Sequence, residues 1–211
     1  MTKIKICGLF REQDIQYVNE AMPDYAGFIL HFPKSHRNLQ VSEAKRLVSR
    51  LRPEIRPVTV FVDQPLETVI RTAAAVHPQI LQLHGTEDNR YISHLREQTG
   101  LVIWKAFRIR NDADLAAAME SSADVVLLDN GYGTGQAFDW SKAVEFSRPF
   151  MLAGGLTPEN ISEAVSKLHP LAVDLSSGVE QSRMKNKAKI LAAVRAAHGK
   201  RTVVKREKEC L

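Results

Sequence analysis

The chain repeats one pattern from end to end: a short apolar run, a polar break, then apolar residues spaced as one face of a helix. Lys3-Ile4-Lys5-Ile6-Cys7 alternates and stops at Gly8. A helix over about 11–22 follows, with Ile15, Val18 and Met22 on one face. Tyr25 to Leu30 is the second run; behind Ser42, a suitable N-cap, Ala44, Leu47, Val48 and Leu51 fall at i, i+3, i+4 and i+7. Val58-Thr59-Val60-Phe61-Val62 is a β-branched run with Leu66, Val69, Ile70 and Ala73 as its stripe, and Ile80-Leu81-Gln82-Leu83 is paired with Tyr91, Ile92 and Leu95. Leu101 to Phe107 precedes Leu115, Ala118 and Met119, and Val125 to Leu128 stops at Asp129 before a Gly-rich loop and a short helix from Trp140. The last two runs, Phe150 to Ala153 and Leu171 to Leu175, precede Ile161, Ala164, Val165 and Leu168, then Ile190, Val194 and Ala197.

Eight strand–helix units at roughly 25-residue spacing predict an α/β chain closed as a single (β/α)8 barrel. The strands read as apolar runs, as strands covered on both faces do. A doubly wound open sheet is the competing architecture, but eight units with no leftover segment favour closure. The barrel domain is expected over residues 1–198, followed by a basic tail over 199–211. Net charge is +5, and much of the excess lies in Lys200 to Lys208, which reads as a solvated tail rather than a nucleic-acid arm. No apolar run approaches the ~20 residues of a membrane span, and no signal pattern opens the chain. Two cysteines, Cys7 and Cys210, are too few for a disulfide framework, so a reducing cytoplasm is expected.

Chemistry in such a barrel sits where strands end. Two of those ends look alike. Ala153-Gly154-Gly155-Leu156 precedes Thr157, a good N-cap, and Pro158, suited to the first helical position. About twenty residues later Asp174-Leu175-Ser176-Ser177-Gly178 repeats the arrangement. Side by side, the last two loops would clamp a phosphate. The other strand-end residues are Cys7, Arg37, Asp63, His84 and Asp129. Each has a structural alternative: a buried small residue for Cys7, a turn residue for Asp129, a surface charge for Arg37, a hydrogen-bonded loop histidine for His84. Several at one end of a barrel make a stronger signal than any alone.

These residues occur in longer motifs. Lys5-Ile6-Cys7-Gly8-Leu9, Ala26-Gly27-Phe28, Ser35-His36-Arg37, Val60-Phe61-Val62, Gln82-Leu83-His84-Gly85 and Leu127-Leu128-Asp129 come in order. Gly133-Thr134-Gly135 with Phe138-Asp139-Trp140, Ala153-Gly154-Gly155-Leu156, and Asp174 to Glu180 complete the set. In this combination the chain resembles the phosphoribosylanthranilate isomerases over about residues 3–198. The resemblance implies a TIM barrel that performs an Amadori rearrangement of a phosphosugar in tryptophan biosynthesis. It implies no metal or organic cofactor. By the same resemblance Cys7 is the general base, Asp129 the general acid, and Arg37 the grip on the anthranilate carboxylate. The backbone around Gly154, Gly155, Ser176, Ser177 and Gly178 would hold the phosphate, and His84 and Asp174 would line the site. Expected partners are the small-molecule substrate and, at most, a second copy: a monomer or homodimer, with no nucleic acid and no membrane. The chain departs from the family's pattern at Phe10, at Tyr132-Gly133, and at Ser182-Arg183-Met184-Lys185-Asn186.

Three other readings are weighed. A histidine-pathway isomerase would carry an aspartate where Cys7 stands. A non-catalytic phosphosugar-binding module would need the clamp but not both Cys7 and Asp129. A nucleic-acid binder would rest on the tail alone.

Overall fold

The computed structural model describes residues 1–129, 140–144 and 146–199. Within them the apolar runs form eight parallel strands: β1 (Lys3–Ile6), β2 (Tyr25–Leu30), β3 (Arg56–Phe61), β4 (Ile80–Leu83), β5 (Val102–Arg108), β6 (Val125–Asp129), β7 (Phe150–Ala153) and β8 (Ala172–Leu175). Each pairs with its sequence neighbours. β1 also meets β8, with Lys5 opposite Asp174, and β2, with Lys5 opposite Tyr25. That double pairing closes the sheet into a barrel and rules out the open alternative.

The helices are α1 (Glu12–Ala21), α2 (Val41–Val48), α3 (Leu66–Val76), α4 (Asn89–Thr99), α5 (Asp112–Met119), α6 (Ser141–Val144), α7 (Ile161–Leu168) and α8 (Lys187–His198). Three local expectations are corrected. α2 begins at Val41, one residue before Ser42, because the Glu43 carboxylate reaches back to accept from Gln40 N at 2.9 Å. α7 begins at Ile161, not at Pro158. Asn160 Oδ1 accepts from Thr157 N at 2.8 Å and Asn160 Nδ2 donates to Gly155 O at 3.0 Å, so residues 157–160 are spent on a turn. Met119 is exposed, and the inner face of α5 is made by buried Ala118 and half-buried Leu115. The Gly-rich loop 130–137 and the tail beyond Gly199 lie outside the described residues.

Strand side chains alternate between two layers. One set, with Ile4, Ile6, Phe28, Phe61, Leu81, Leu83, Leu128 and Leu152, packs under the helices as the main core. The other set points into the barrel. Its lower layer is apolar: Tyr25, Val58, Ile80, Trp104, Leu127 and Met151, with Tyr25 and Trp104 edge to face at 4.8 Å. Above it the inward positions are Lys5, Gly27, Val60, Gln82, Ala153 and Asp174, then Cys7, Ile29, His84, Asp129 and Ser176. Hydrocarbon thus floors the barrel, and Cys7, His84, Asp129 and Ser176 lie above it at the end where the strands stop.

Candidate active site

β1 carries Cys7 to that end, and its backbone N donates to Leu175 O at 2.8 Å. Opposite it, Gly27 on β2 leaves the space the thiol needs: a Cβ there would lie 2.8 Å from Cys7 Sγ. Ser176 Oγ donates to Cys7 O at 3.2 Å, tying β8 to the turn after β1. Burial pushes the Cys7 thiol pKa above its ordinary value. The Lys5 ammonium opposes that rise, the Asp174 carboxylate adds to it, and Lys185 opposes it again.

Across the cavity Asp129 ends β6, and its Oδ2 lies 3.2 Å from His84 Nε2 at the end of β4. The Asp129 side chain is 14% exposed, and that of His84 39%. Sequence reasoning gave His84 only a lining position; the structure pairs it with the candidate acid.

The loop after β2 delivers Arg37, which is no loose surface charge. Its Nε and Nη2 both donate to Glu180, at 2.7 Å each. Glu180 in turn accepts from Lys185 Nζ at 2.7 Å, and Lys185 also donates to Ser176 O at 2.9 Å. Burial drives the Glu180 carboxyl up, but the Arg37 fork and Lys185 outweigh it and hold its pKa below the ordinary range. Glu180 and Lys185 face each other in a two-stranded ribbon, Glu180–Gln181 with Met184–Lys185. Its tip is Ser182-Arg183, with φ of 50° and 62°. A two-residue hairpin of this type needs left-handed backbone at both positions, so the ribbon forms here without the glycine such turns favour.

The last two loops meet edge on. Gly154 and Gly155 both take positive φ, 83° and 66°. A Cβ on Gly178 would fall 1.8 Å from Leu156 O, so only glycine lets the loop after β8 lie against the loop after β7. Ser177–Val179 forms one 3-10 turn there.

One cavity of about 220 Å³ is lined by Cys7, Arg37, His84, Asp129, Gly154, Gly155, Asp174, Ser176, Ser177 and Gly178 together. A second hollow of about 410 Å³ adjoins it, sharing Ile29, Arg37, Val60, His84 and Asp129 and adding Phe32, Ser35, Val62 and Arg108. One end is therefore backbone-rich and holds Cys7, the other is apolar with arginines, and the Asp129–His84 pair is common ground. Asp63 stays out of both. Its Oδ1 accepts from Thr86 N and Thr86 Oγ1, at 2.6 and 2.8 Å, and so fastens the loop after β4. Among the described residues no group of three His, Cys, Asp or Glu side chains is placed to hold a metal, and no helix is long and apolar enough to cross a membrane.

Sequence reasoning passed over Lys5, Gln82 and Lys185. The signal was present for the first two. Lys5 shares strand parity with Cys7, and Gln82 with His84, so both had to face the barrel axis. Lys185 carried no such signal, because the ribbon that aims it is set by tertiary contacts.

The family model described as N-(5'-phosphoribosyl)anthranilate (PRA) isomerase matches residues 4–196. The chain is 40% identical to the N-(5'-phosphoribosyl)anthranilate isomerase of Thermoanaerobacter sp. (strain X514), over 94% of this chain and 99% of that protein. It is 42% identical to that of Endomicrobium trichonymphae, over 92% and 98%. Among solved structures, phosphoribosyl anthranilate isomerase from Thermotoga maritima superposes with a TM-score of 0.86 at 32% identity, covering 94% and 99% of the two chains. A phosphoribosyl anthranilate isomerase in complex with reduced 1-(o-carboxyphenylamino)-1-deoxyribulose 5-phosphate gives 0.84 at the same identity and coverage.

Proposed function

Because the chain belongs to the N-(5'-phosphoribosyl)anthranilate isomerase family, we propose that its two-part cavity carries out the family's reaction with Cys7 as base and Asp129 as acid. The reaction is the Amadori rearrangement of N-(5-phosphoribosyl)anthranilate to 1-(2-carboxyphenylamino)-1-deoxyribulose 5-phosphate, a step of tryptophan biosynthesis. The observation that carries the assignment of residues is the split cavity. Its backbone-rich end suits a phosphate, its apolar arginine-bearing end suits an aromatic carboxylate, the candidate acid stands where the two meet, and the candidate base lines the first.

Asp129, oriented by His84, protonates the ribose ring oxygen. The C1–O bond breaks and the nitrogen lone pair forms the iminium. Cys7 then takes the C2 proton; the electron pair left behind forms the C1–C2 double bond and neutralises the nitrogen. Return of a proton to C1 as the enol becomes a ketone completes the isomerisation with no net gain or loss. Arg37, held on Glu180 by two of its five N–H donors, has three left for the anthranilate carboxylate among its described contacts. The loops bearing Gly154, Gly155, Ser176, Ser177 and Gly178 receive the phosphate, and Asp174 and His84 line the sugar.

This metabolite chemistry implies the cytoplasm and needs a single chain. The monomer-or-homodimer reading has support on both sides, since a relative from Thermotoga maritima is dimeric and has also been obtained as monomers.

Purified protein mixed with freshly made phosphoribosylanthranilate should consume its fluorescence. Cys7→Ser, nearly isosteric, should fold and lose ~10²–10⁴-fold in turnover. No consumption by the parent protein would sink the activity; normal turnover by Cys7→Ser would sink the role of Cys7 alone.

A further inference from the structure

Cys7 shares its face of β1 with Lys5, one inward position below it. Lys5 is fully buried, and its Nζ donates to Asp174 Oδ2 at 2.8 Å across the β1–β8 seam. Gly27 on β2 lies beside both β1 side chains. A Cβ there would sit 2.9 Å from Lys5 Cε as well as 2.8 Å from Cys7 Sγ, so the ammonium end and the thiol occupy one compartment. Asp174 lines the cavity, and its second oxygen, Oδ1, is buried without a partner among the described residues.

A buried ion pair is a poor device for stability, because a well-packed apolar pair of the same volume is often as good or better. The layer beneath is apolar, and nothing in it needs a charge, yet the pair sits directly below the thiol. Position, not stability, accounts for it. We propose that Lys5 is a positioning residue for the proton-abstracting step: its ammonium, clamped by Asp174, is the fixed counter-charge against which Cys7 becomes a thiolate.

This rests on Cys7 being the base. The other charged groups facing Cys7 are Asp174 from β8, Lys185 from the ribbon, and Arg37 from the loop after β2, the last bound to Glu180; Asp129 and His84 stand across the cavity. Burial disfavours the thiolate, and of the charges that work on Cys7, Lys5 works hardest in its favour, ahead of the contrary Asp174 and of Lys185. Arg37 is committed to a carboxylate. When the C2 proton moves to Sγ the thiolate charge disappears, and Lys5 keeps its charge against Asp174 throughout, so the step needs no rearrangement of the site.

The test is a thiolate titration by ultraviolet absorbance, in a Cys210→Ser background that leaves one thiol, with Cys7→Ser as the blank. Lys5→Met should move the Cys7 midpoint upward by about one pH unit or more, equivalent to tenfold less thiolate at neutral pH. Turnover at neutral pH should fall with KM little changed and recover as pH is raised, which a merely structural lysine would not produce. Should the unpaired Asp174 keep Lys5→Met from folding, Asp174→Asn and Lys5→Met/Asp174→Asn are compared instead. Both lack the orphaned carboxylate, and the double variant should titrate higher. A midpoint no higher without Lys5, in whichever pair folds, overturns the proposal. Normal turnover by Cys7→Ser is a separate failure, of Cys7 as base, and leaves the titration result standing.

Discussion

Arg37 shows how a single side chain can be committed to two tasks. Two of its donors fasten the ribbon through Glu180, and the rest of the guanidinium borders the apolar hollow. If it reads the anthranilate carboxylate, Arg37→Met should weaken a product analogue bearing that group far more than the matching analogue with a plain phenyl ring. Loss of one side of a desolvated charge contact costs ~2–5 kcal/mol, or roughly 30- to several-thousand-fold in kcat/KM at ~1.4 kcal/mol per tenfold. Most of it should appear in KM, since the carboxylate does not change during the reaction. Calorimetric titration of both analogues decides the matter: equal losses would mean that Arg37 only braces the ribbon and that Arg108, at the same hollow, is the better candidate.

At the scale of elements, the ribbon after β8 is a strap. Glu180 joins it to the loop after β2, Lys185 joins it to Ser176 below, and Lys189 Nζ donates to Glu180 O from α8. The strap is therefore sensitive to acid. Because the Glu180 carboxyl titrates below its ordinary range in the folded state, its contribution is complete above the unfolded value, ~4.3, and is lost as pH falls through the lower folded value. Glu180→Gln leaves Lys185 buried without a charged partner, and breaking a buried pair in this way costs ~3–5 kcal/mol. Denaturant unfolding of both proteins should show that difference near neutrality and show it shrinking in acid. A gap that stays constant with pH would mean that shape, not charge, holds the strap.

For the whole molecule, the notable contact is the one between the last two loops, because β7 and β8 stand beside the seam that closes the barrel. A phosphate bound across Gly154, Gly155 and Gly178 would brace that seam. At about a hundredfold excess over its Kd, inorganic phosphate should add ~2.7 kcal/mol, a rise of roughly 5–10 °C in Tm for a chain of this size. Gly178→Ala drives a Cβ into Leu156 O and should abolish the shift while lowering the starting Tm. If the variant keeps the shift, phosphate binds elsewhere.

Much of this was legible along the chain. The eight units, their order and the inward parity of Cys7, His84, Asp129 and Asp174 follow from hydrophobic periodicity, because a strand covered on both faces must be apolar wherever it is not functional. Parity also marked Lys5 and Gln82. Two things were settled only by the closed barrel. The pairing of β1 with β8 brings Lys5 to Asp174 across 169 positions of sequence. The loop contacts give Arg37 to Glu180 and aim Lys185 at the site. The delayed start of α7 at Ile161 is, by contrast, a local contest: Asn160 binds Thr157 N and Gly155 O, three and five residues away, and spends the residues that favoured an earlier start. Periodicity reports which face of an element is buried, whereas partners distant in sequence are chosen by closure, which no local pattern encodes.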